Sequence, residues 1–207
     1  MEYRFFYSID ECAFNTKWKT TSNVEKRTDI YFIIPIALNG SDEFHIEHGL
    51  KLRNRQTLEL KIREKRYSNG QELWLKTIHS NQKLHIDNID SIVKVLNKFN
   101  ENKLIERLKS SQSIIVCFVS KFRQQKNLEG NLIQEITGLH LKFIQLNDQS
   151  QIGEDLFFET VCIERSDSKL IDSKFIEKLF QEYRPMTINP MGYPEFLFQQ
   201  YQQIINQ

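Results

Sequence analysis

Two stretches of the chain decide the fold, Gly49-Leu-Lys-Leu-Arg-Asn-Arg55 and Leu58-Glu-Leu-Lys-Ile-Arg63. In each, Leu or Ile alternates with a charged residue through most of the run. Side chains of a β-strand point to opposite faces with a period of two, so the apolar residues share one surface and the charged residues share the other. The charged surface is mainly cationic, because positions 49–66 contain seven Lys or Arg residues against two Glu. This pattern is suited to holding a polyanion.

The composition limits the classes of protein to which the chain can belong. Its 207 residues are 40% hydrophobic, which suffices for a buried core, and its net charge is +1. The positive charge is therefore local, and a strongly basic nucleic-acid-binding protein is excluded. The three cysteines are far apart and lack metal-finger spacing, which is typical of reduced thiols in an intracellular protein. No apolar signal core and no run of about eighteen apolar residues is present, so we expect a cytoplasmic protein without a membrane segment.

The remaining sequence indicates a single α+β domain over residues 1–207, with about eight strands. The Asn-Gly pair of Tyr67-Ser-Asn-Gly70 predicts a hairpin turn. Helices are predicted at 10–20, from Asp87, at Lys103–Leu108, after Asp172 as N-cap, and over Pro194–Ile205. The predicted strands are Tyr3–Ser8, Thr28–Ile36, Phe44–Asn54, Thr57–Lys65, Glu72–Ile78, Ile114–Arg123, Leu132–Ile144 and Leu156–Glu164.

The order of the charged motifs resembles that of the CYTH family, the triphosphate tunnel metalloenzymes. The similar segments span nearly the whole chain and are Thr28-Asp-Ile-Tyr31, Gly49-Leu-Lys-Leu-Arg53, Leu58-Glu-Leu-Lys61, Leu73-Trp-Leu-Lys76, Val119-Ser-Lys-Phe-Arg123, Phe157-Phe-Glu159 through Glu164, and Tyr193-Pro-Glu-Phe-Leu197. The resemblance implies an eight-stranded antiparallel β-barrel with a charged interior and flanking helices.

The resemblance also implies a phosphate-binding tunnel lined by cations. Arg offers a forked set of donors for phosphate oxygens, and Lys offers a point charge. We expect Leu52, Leu60 and Ile62 to turn outward beneath helices while the charged side chains share one cavity. The alternative is a solvated sheet face, cross-paired by Glu59 and Glu64. The candidate phosphate-binding residues are Arg4, Lys51, Arg53, Lys61, Arg63, Lys76, Lys121 and Arg123.

Glutamates are the candidate metal ligands and catalytic groups that the resemblance implies. Mg²⁺ or Mn²⁺ would be held by Glu2, Glu135 and Glu159, with Glu59 and Glu159 in the catalytic roles. Alternatively, each carboxylate neutralises a neighbouring Lys or Arg, since like charges inside a barrel repel strongly. The predicted function is metal-dependent hydrolysis of a triphosphate compound or of inorganic polyphosphate. Two alternatives are a non-catalytic binder of a polyphosphorylated small molecule and a structural subunit that retains the barrel.

The opening strand departs from the pattern that defines the family. The family begins with Glu-x-Glu-x-Lys, whereas this chain has Glu2-Tyr-Arg4-Phe-Phe6, so Arg4 replaces the second carboxylate and Phe6 replaces the Lys. Glu159 and Glu164 are five residues apart and face opposite ways in a regular strand. We expect Glu159 to lie close to the first strand and to compensate for the carboxylate that Arg4 replaces.

Overall fold

Eight antiparallel strands form a closed barrel, in the order β1-β5-β4-β3-β2-β6-β7-β8 around its wall. The computed structural model describes residues 1–19, 23–33, 47–111, 114–167, 169–183 and 190–207. The α+β barrel predicted for the chain is thus confirmed. The strands are β1 (Glu2–Ser8), β2 (Glu25–Ile33), β3 (His48–Arg53), β4 (Thr57–Arg66), β5 (Glu72–Lys83), β6 (Ile115–Asn127), β7 (Leu132–Gln145) and β8 (Ser150–Arg165).

Five α-helices flank the barrel in the described part of the chain. They are α1 (Glu11–Phe14), which continues into a π-helical turn (Asn15–Lys19), α2 (Ile89–Asn97), α3 (Asn102–Ser110), α4 (Ser173–Tyr183) and α5 (Tyr193–Ile205). Asp172 precedes α4 and its carboxylate accepts a hydrogen bond from the Lys174 backbone N at 2.8 Å, as the N-cap prediction requires. In the described ranges, no helix combines the length and the apolar character needed to cross a membrane.

The outer face of β3 and β4 packs against the helix pair α2 and α3. Leu52 and Leu60 are fully buried there, in one core cluster with Ile92 and Leu96 of α2. Ile62 packs against the same cluster. The predicted outward orientation of these apolar residues is therefore confirmed, and it turns the charged neighbours of each toward the barrel interior.

One half of the barrel interior is apolar and packs against α5. Phe196 of α5 stacks on Phe6 with 3.8 Å between ring centroids, and meets Phe158 edge to face at 4.9 Å. Inward residues of β7, among them Leu141 and Phe143, belong to the same buried cluster. The helix therefore fills this half of the interior, and the polar half is left as a cavity.

Several strands are longer than the hydrophobic pattern predicted. β5 extends to Lys83, β6 to Asn127, and β8 begins at Ser150 rather than at Leu156. These extensions are mainly polar and exposed, but their backbones stay paired: Lys83 opposes Thr57, Asn127 opposes Ile133 and Ser150 opposes Gln145. The predicted end of β2 at Ile36 and start of β3 at Phe44 lie outside the described residues.

Candidate anion-binding site

The polar half of the barrel contains a cavity of about 380 Å³. Seven of the eight predicted phosphate ligands line it, namely Arg4, Lys51, Arg53, Lys61, Lys76, Lys121 and Arg123. Arg27 is a further cationic residue of the wall, and the acidic residues are Glu2, Glu59, Glu135 and Glu164. The lining therefore carries twice as many cationic as acidic side chains. Tyr31, Trp74 and Tyr193 add aromatic surface.

Arg63 is the predicted phosphate ligand that does not line this cavity. Its Nη1 donates to Glu72 Oε1 at 2.8 Å and to Glu195 Oε2 at 3.0 Å. Glu195 lies in the first turn of α5, so the ion pair joins β4 and β5 to that helix. The prediction that Arg63 shares the cavity is wrong, because two carboxylates that are largely buried bind its guanidinium.

Asp29 of β2 is surrounded by cations that point to a single one of its oxygens. Its Oδ2 lies 3.1 Å from Lys51 Nζ, 3.2 Å from Lys121 Nζ and 3.4 Å from Arg27 Nε. Burial raises the pKa of this carboxyl, but Lys121, Lys51 and Arg27 outweigh burial and hold the pKa well below its usual range. One ionised carboxylate thus serves three cations.

Glu59 of β4 is the second buried carboxylate of the cationic wall. Its oxygens lie 3.4 Å from Lys51 Nζ, 3.3 Å from Arg53 Nη1 and 3.1 Å from Lys76 Nζ, and the His79 ring is also in contact. Burial raises the pKa of Glu59, but the neighbouring cations bring it down to about 2. This arrangement matches the alternative in which Glu59 neutralises its neighbours.

Arg4 organises the acidic side of the cavity. Its Nε donates to Glu2 Oε1 at 2.8 Å, its Nη1 to Glu135 Oε1 at 3.1 Å and its Nη2 to Glu164 Oε1 at 3.2 Å. Glu135 also accepts a hydrogen bond from Arg123 Nη1 at 3.2 Å. Burial raises the pKa of Glu135, yet Arg4 and the other cations lower it to about 2. The one guanidinium therefore satisfies carboxylates from β1, β7 and β8.

These carboxylates do not fit the divalent cation that the family resemblance implies. Mg²⁺ needs carboxylate oxygens that turn toward it, and here the Arg4 guanidinium occupies the space between Glu2, Glu135 and Glu164. Ligand atoms of Glu2, Glu164 and Cys162 do lie within 4.8 Å of one another. Burial raises the pKa of the Cys162 thiol, however, so the sulfur keeps its proton and is a poor partner for a hard cation. The Arg4 guanidinium already supplies the positive charge that these three glutamates need.

Glu159 lies next to the first strand, opposite Tyr7, as predicted, but it is on the outer face of β8, so the prediction that it compensates for Arg4 inside the barrel is wrong. Arg4 is directly opposite Cys162 in the β1–β8 ladder, so the even-numbered residues of β8 face inward and Glu159 faces outward. Its oxygens accept hydrogen bonds from Trp18 Nε1 at 2.6 Å and from Lys17 Nζ at 2.8 Å. The carboxylate therefore fastens the π-helical turn to the barrel wall. The prediction that the side chains of Glu159 and Glu164 point to opposite faces of the strand is confirmed.

Sequence analysis missed two residues that the structure places in the cationic wall. Arg27 and Asp29 lie with Tyr31 on the inner face of β2, and their neighbours Thr28 and Ile30 face outward. The same alternation that identified β3 and β4 runs through this strand, so the inward orientation of Arg27 and Asp29 could have been predicted from the sequence. Tyr193 could not be found this way, because it reaches the cavity from α5, where its ring lies 3.7 Å from Lys121 Nζ.

Comparison with known proteins identifies no family for this chain. The chain matches no model of a known protein family, and no curated protein matches it. Among solved structures, it is similar to the PH1819 protein of Pyrococcus horikoshii OT3, with 13% sequence identity and a TM-score of 0.48. The match covers 98% of this chain and 99% of that protein.

Proposed function

We propose that the chain binds a polyphosphorylated small molecule, such as triphosphate or a short polyphosphate, in the cavity of the barrel. One observation carries the proposal: the cavity lining holds twice as many cations as carboxylates, on the inner side of a closed barrel. Such a concentration of charge attracts anions, and forked guanidinium groups match phosphate oxygens.

The geometry favours binding over the metal-dependent hydrolysis that the sequence predicts. Hydrolysis of this kind needs a divalent cation that bridges protein carboxylates and phosphate oxygens. In the described chain, Arg4 satisfies the inward carboxylates Glu2, Glu135 and Glu164. Anion binding needs only the cationic wall and therefore does not depend on those groups.

Isothermal titration calorimetry with inorganic tripolyphosphate, in buffer that contains EDTA, tests the proposal. Lys61 lines the cavity, and in the described chain no ion pair neutralises it. Lys61→Met should weaken tripolyphosphate binding roughly tenfold or more, the usual loss for one charge-assisted contact. Lys126→Met is the matched control, because Lys126 is an exposed lysine on the outer face of β6. Its affinity should equal that of the unaltered protein.

Two outcomes would contradict the proposal. One is the absence of any heat of binding for tripolyphosphate at low salt, where exposed and half-exposed charges are least screened. The other is equal weakening by Lys61→Met and Lys126→Met, which would place any bound anion outside the barrel. Release of orthophosphate that depends on added Mn²⁺ would instead favour the hydrolase.

A further inference from the structure

The cations around Asp29 lack a negative charge. Three of them meet at Oδ2, while Oδ1 accepts only a long hydrogen bond, 3.4 Å, from the Asn54 backbone N. Lys51 shares a second carboxylate, Glu59, which itself also contacts Arg53 and Lys76. Two buried carboxylates thus face five cations along this wall. Unbalanced charge of this kind is costly away from water, because the repulsion between cations is poorly screened there.

Arg27 shows where the missing charge belongs. Its side chain is only 11% exposed, and its buried Nε and Nη1 make no hydrogen bond, although Nε lies 3.4 Å from Asp29 Oδ2 and Nη1 lies 3.7 Å from the exposed carboxylate of Glu25. Buried donors that stay unpaired are rare and destabilising in folded proteins. Arg27 lies directly opposite Lys121 in the β2–β6 ladder, and both line the cavity. The Arg27 donors that make no hydrogen bond therefore lie beside the surplus of cations around Asp29.

Lys121 is the buried amine at the centre of this group. Its Nζ donates to the Tyr31 hydroxyl at 3.2 Å and lies over the Tyr193 ring, and its side chain is 3% exposed. The charged and titratable groups that face it are Arg27, Asp29 and Tyr31 from β2, Lys51 from β3, Arg4 from β1, Glu135 from β7 and Tyr193 from α5. Most of the nearby charge is positive.

We propose that a single tetrahedral dianion, the terminal phosphoryl group of the ligand, binds between Arg27, Lys51 and Lys121, and that Lys121 takes up a proton as the anion binds. This inference rests on the proposed function and deepens it, since it names the group that is recognised and couples its binding to pH. The dianion supplies the charge that Asp29 alone does not supply. It also provides acceptors for the two unpaired donors of Arg27.

Proton uptake follows from the electrostatics of the empty cluster. The pKa of Lys121 is lowered to about 7, with burial as the largest cause; Asp29 opposes burial, and Lys51, Arg27 and Arg4 add to the lowering. A substantial fraction of Lys121 is therefore neutral near neutral pH. A dianion placed beside the amine favours its charged form, so binding raises this pKa. By linkage, the affinity must fall as the pH rises through the pKa of the free protein.

Inorganic sulfate is the probe that separates these effects, because it is a tetrahedral dianion and does not itself titrate near neutral pH. Calorimetry at about pH 8, repeated in buffers of different ionisation enthalpy, should show the uptake of most of one proton per sulfate bound. Between about pH 7.5 and about pH 9, the sulfate affinity should fall by roughly tenfold per pH unit.

Two variants test the assignment of residues. Lys121→Arg keeps a permanent charge, so sulfate should bind without proton uptake and with little dependence on pH. Arg27→Gln should weaken sulfate binding roughly tenfold or more, because it removes the two unpaired donors. Arg55→Gln is the control. Arg55 is exposed in the turn between β3 and β4 and does not line the cavity, so its loss should cost less than about threefold.

The inference fails if sulfate binds with no proton uptake, or if Arg27→Gln and Arg55→Gln weaken sulfate binding equally. It also fails if tripolyphosphate binds in the cavity and sulfate does not. Each of these results leaves the proposed function in place, since binding of tripolyphosphate to the other cations is measured separately. If Lys121→Arg does not fold, proton uptake by the unaltered protein and the effect of Arg27→Gln still decide the question.

Discussion

One residue, Arg4, determines the chemistry of the acidic side of the cavity. Its guanidinium hydrogen-bonds to carboxylates on three strands, Glu2, Glu135 and Glu164. Burial and the nearby Glu2 raise the pKa of Glu164, whereas burial of Glu2 is outweighed by Arg4, which lowers that pKa. The two carboxyls compete for one cation. Arg4 therefore functions as a built-in counter-ion for these carboxylates.

Replacing Arg4 tests this role. Arg4→Glu removes the common partner of three carboxyls and adds a fourth, so we expect a loss of about 3 to 5 kcal/mol in the free energy of unfolding. Part of that loss should be recovered by millimolar Mn²⁺, because four carboxyls can then hold a divalent cation. Thermal unfolding with Mn²⁺ and with EDTA measures both effects.

Arg4→Gln is the matched control for metal recovery. It also loses the ion pairs, but it adds no carboxylate, so its melting temperature should respond to Mn²⁺ no more than that of the unaltered protein. A clear stabilisation of the unaltered protein by Mn²⁺ would contradict the interpretation of Arg4 as the counter-ion and would restore the predicted metal site.

At the scale of the elements, strand alternation explains what could be predicted from the sequence. It identified the inner faces of β3 and β4, because the apolar side of each strand is covered by α2 and α3 and the charged side faces the cavity. Alternation alone does not say which face of a strand is inside. For β8, that choice depends on its register with β1, where Arg4 opposes Cys162, and local sequence carries no record of that register.

Residues that meet across long sequence separations were also beyond prediction. By strand alternation, Arg63 is on the same face of β4 as the cavity residue Lys61. Its guanidinium is bound instead by Glu195, which lies 132 residues further along the chain, in α5. The placement of α5 against the apolar half of the interior likewise depends on contacts such as Phe196 on Phe6. Helical periodicity predicted that α5 exists, but not that it fills this half of the interior.

Glu159 gives a prediction at the scale of an element, the attachment of the π-helical turn to the barrel. Trp18 packs so closely over β7 that a Cβ at Gly138 would lie 2.6 Å from its ring, and the indole N–H donates to Glu159. Glu159→Ala leaves this buried donor unpaired, so the free energy of unfolding should fall by about 1 to 3 kcal/mol. Urea unfolding measures this loss.

The same variant should bind tripolyphosphate as the unaltered protein does, because Glu159 lies outside the cavity. Glu154→Ala is a suitable control for the unfolding experiment, since Glu154 is an exposed carboxylate of the same strand and should change stability by less than about 0.5 kcal/mol. If Glu159→Ala abolishes anion binding while stability is unchanged, a role for Glu159 in the site would have to be reinstated.

At the scale of the whole molecule, the net charge of +1 conceals a separation of charge inside the barrel. The wall formed by β2 to β6 carries the surplus of Lys and Arg, and β1, β7 and β8 supply Glu2, Glu135 and Glu164. The cationic wall and the acidic side of the cavity are each stable only when their side chains are in particular protonation states. The pH dependence of unfolding therefore reports on the cavity as a unit, through the difference in protons bound by the native and unfolded chains.

The stability depends on pH in an acid range and in an alkaline range, and different groups cause the two dependences. The pKa values of Glu59 and Glu135 fall from 4.5 to about 2 on folding, because the neighbouring cations outweigh burial. Between these values the unfolded chain binds more protons, so stability is lost as the pH falls from about 4.5 towards 2. Burial lowers the pKa of Lys121 from 10.5 to about 7, so the unfolded chain again holds the extra proton between these values. Stability contributed by this group therefore rises with pH above 7.

Calorimetric melting temperatures at constant ionic strength should consequently fall steeply below about pH 4.5 and should rise modestly between about pH 7 and about pH 9. Lys121→Met has no amine to titrate, so it should keep the acid limb and lose the alkaline rise. The comparison is selective, because Asp29 retains Lys51 and Arg27 in that variant. An alkaline rise of the same size in Lys121→Met would assign it to another group. It would also remove the electrostatic basis for proton uptake by Lys121, since a lysine that stays fully charged at pH 8 has no proton to gain when an anion binds.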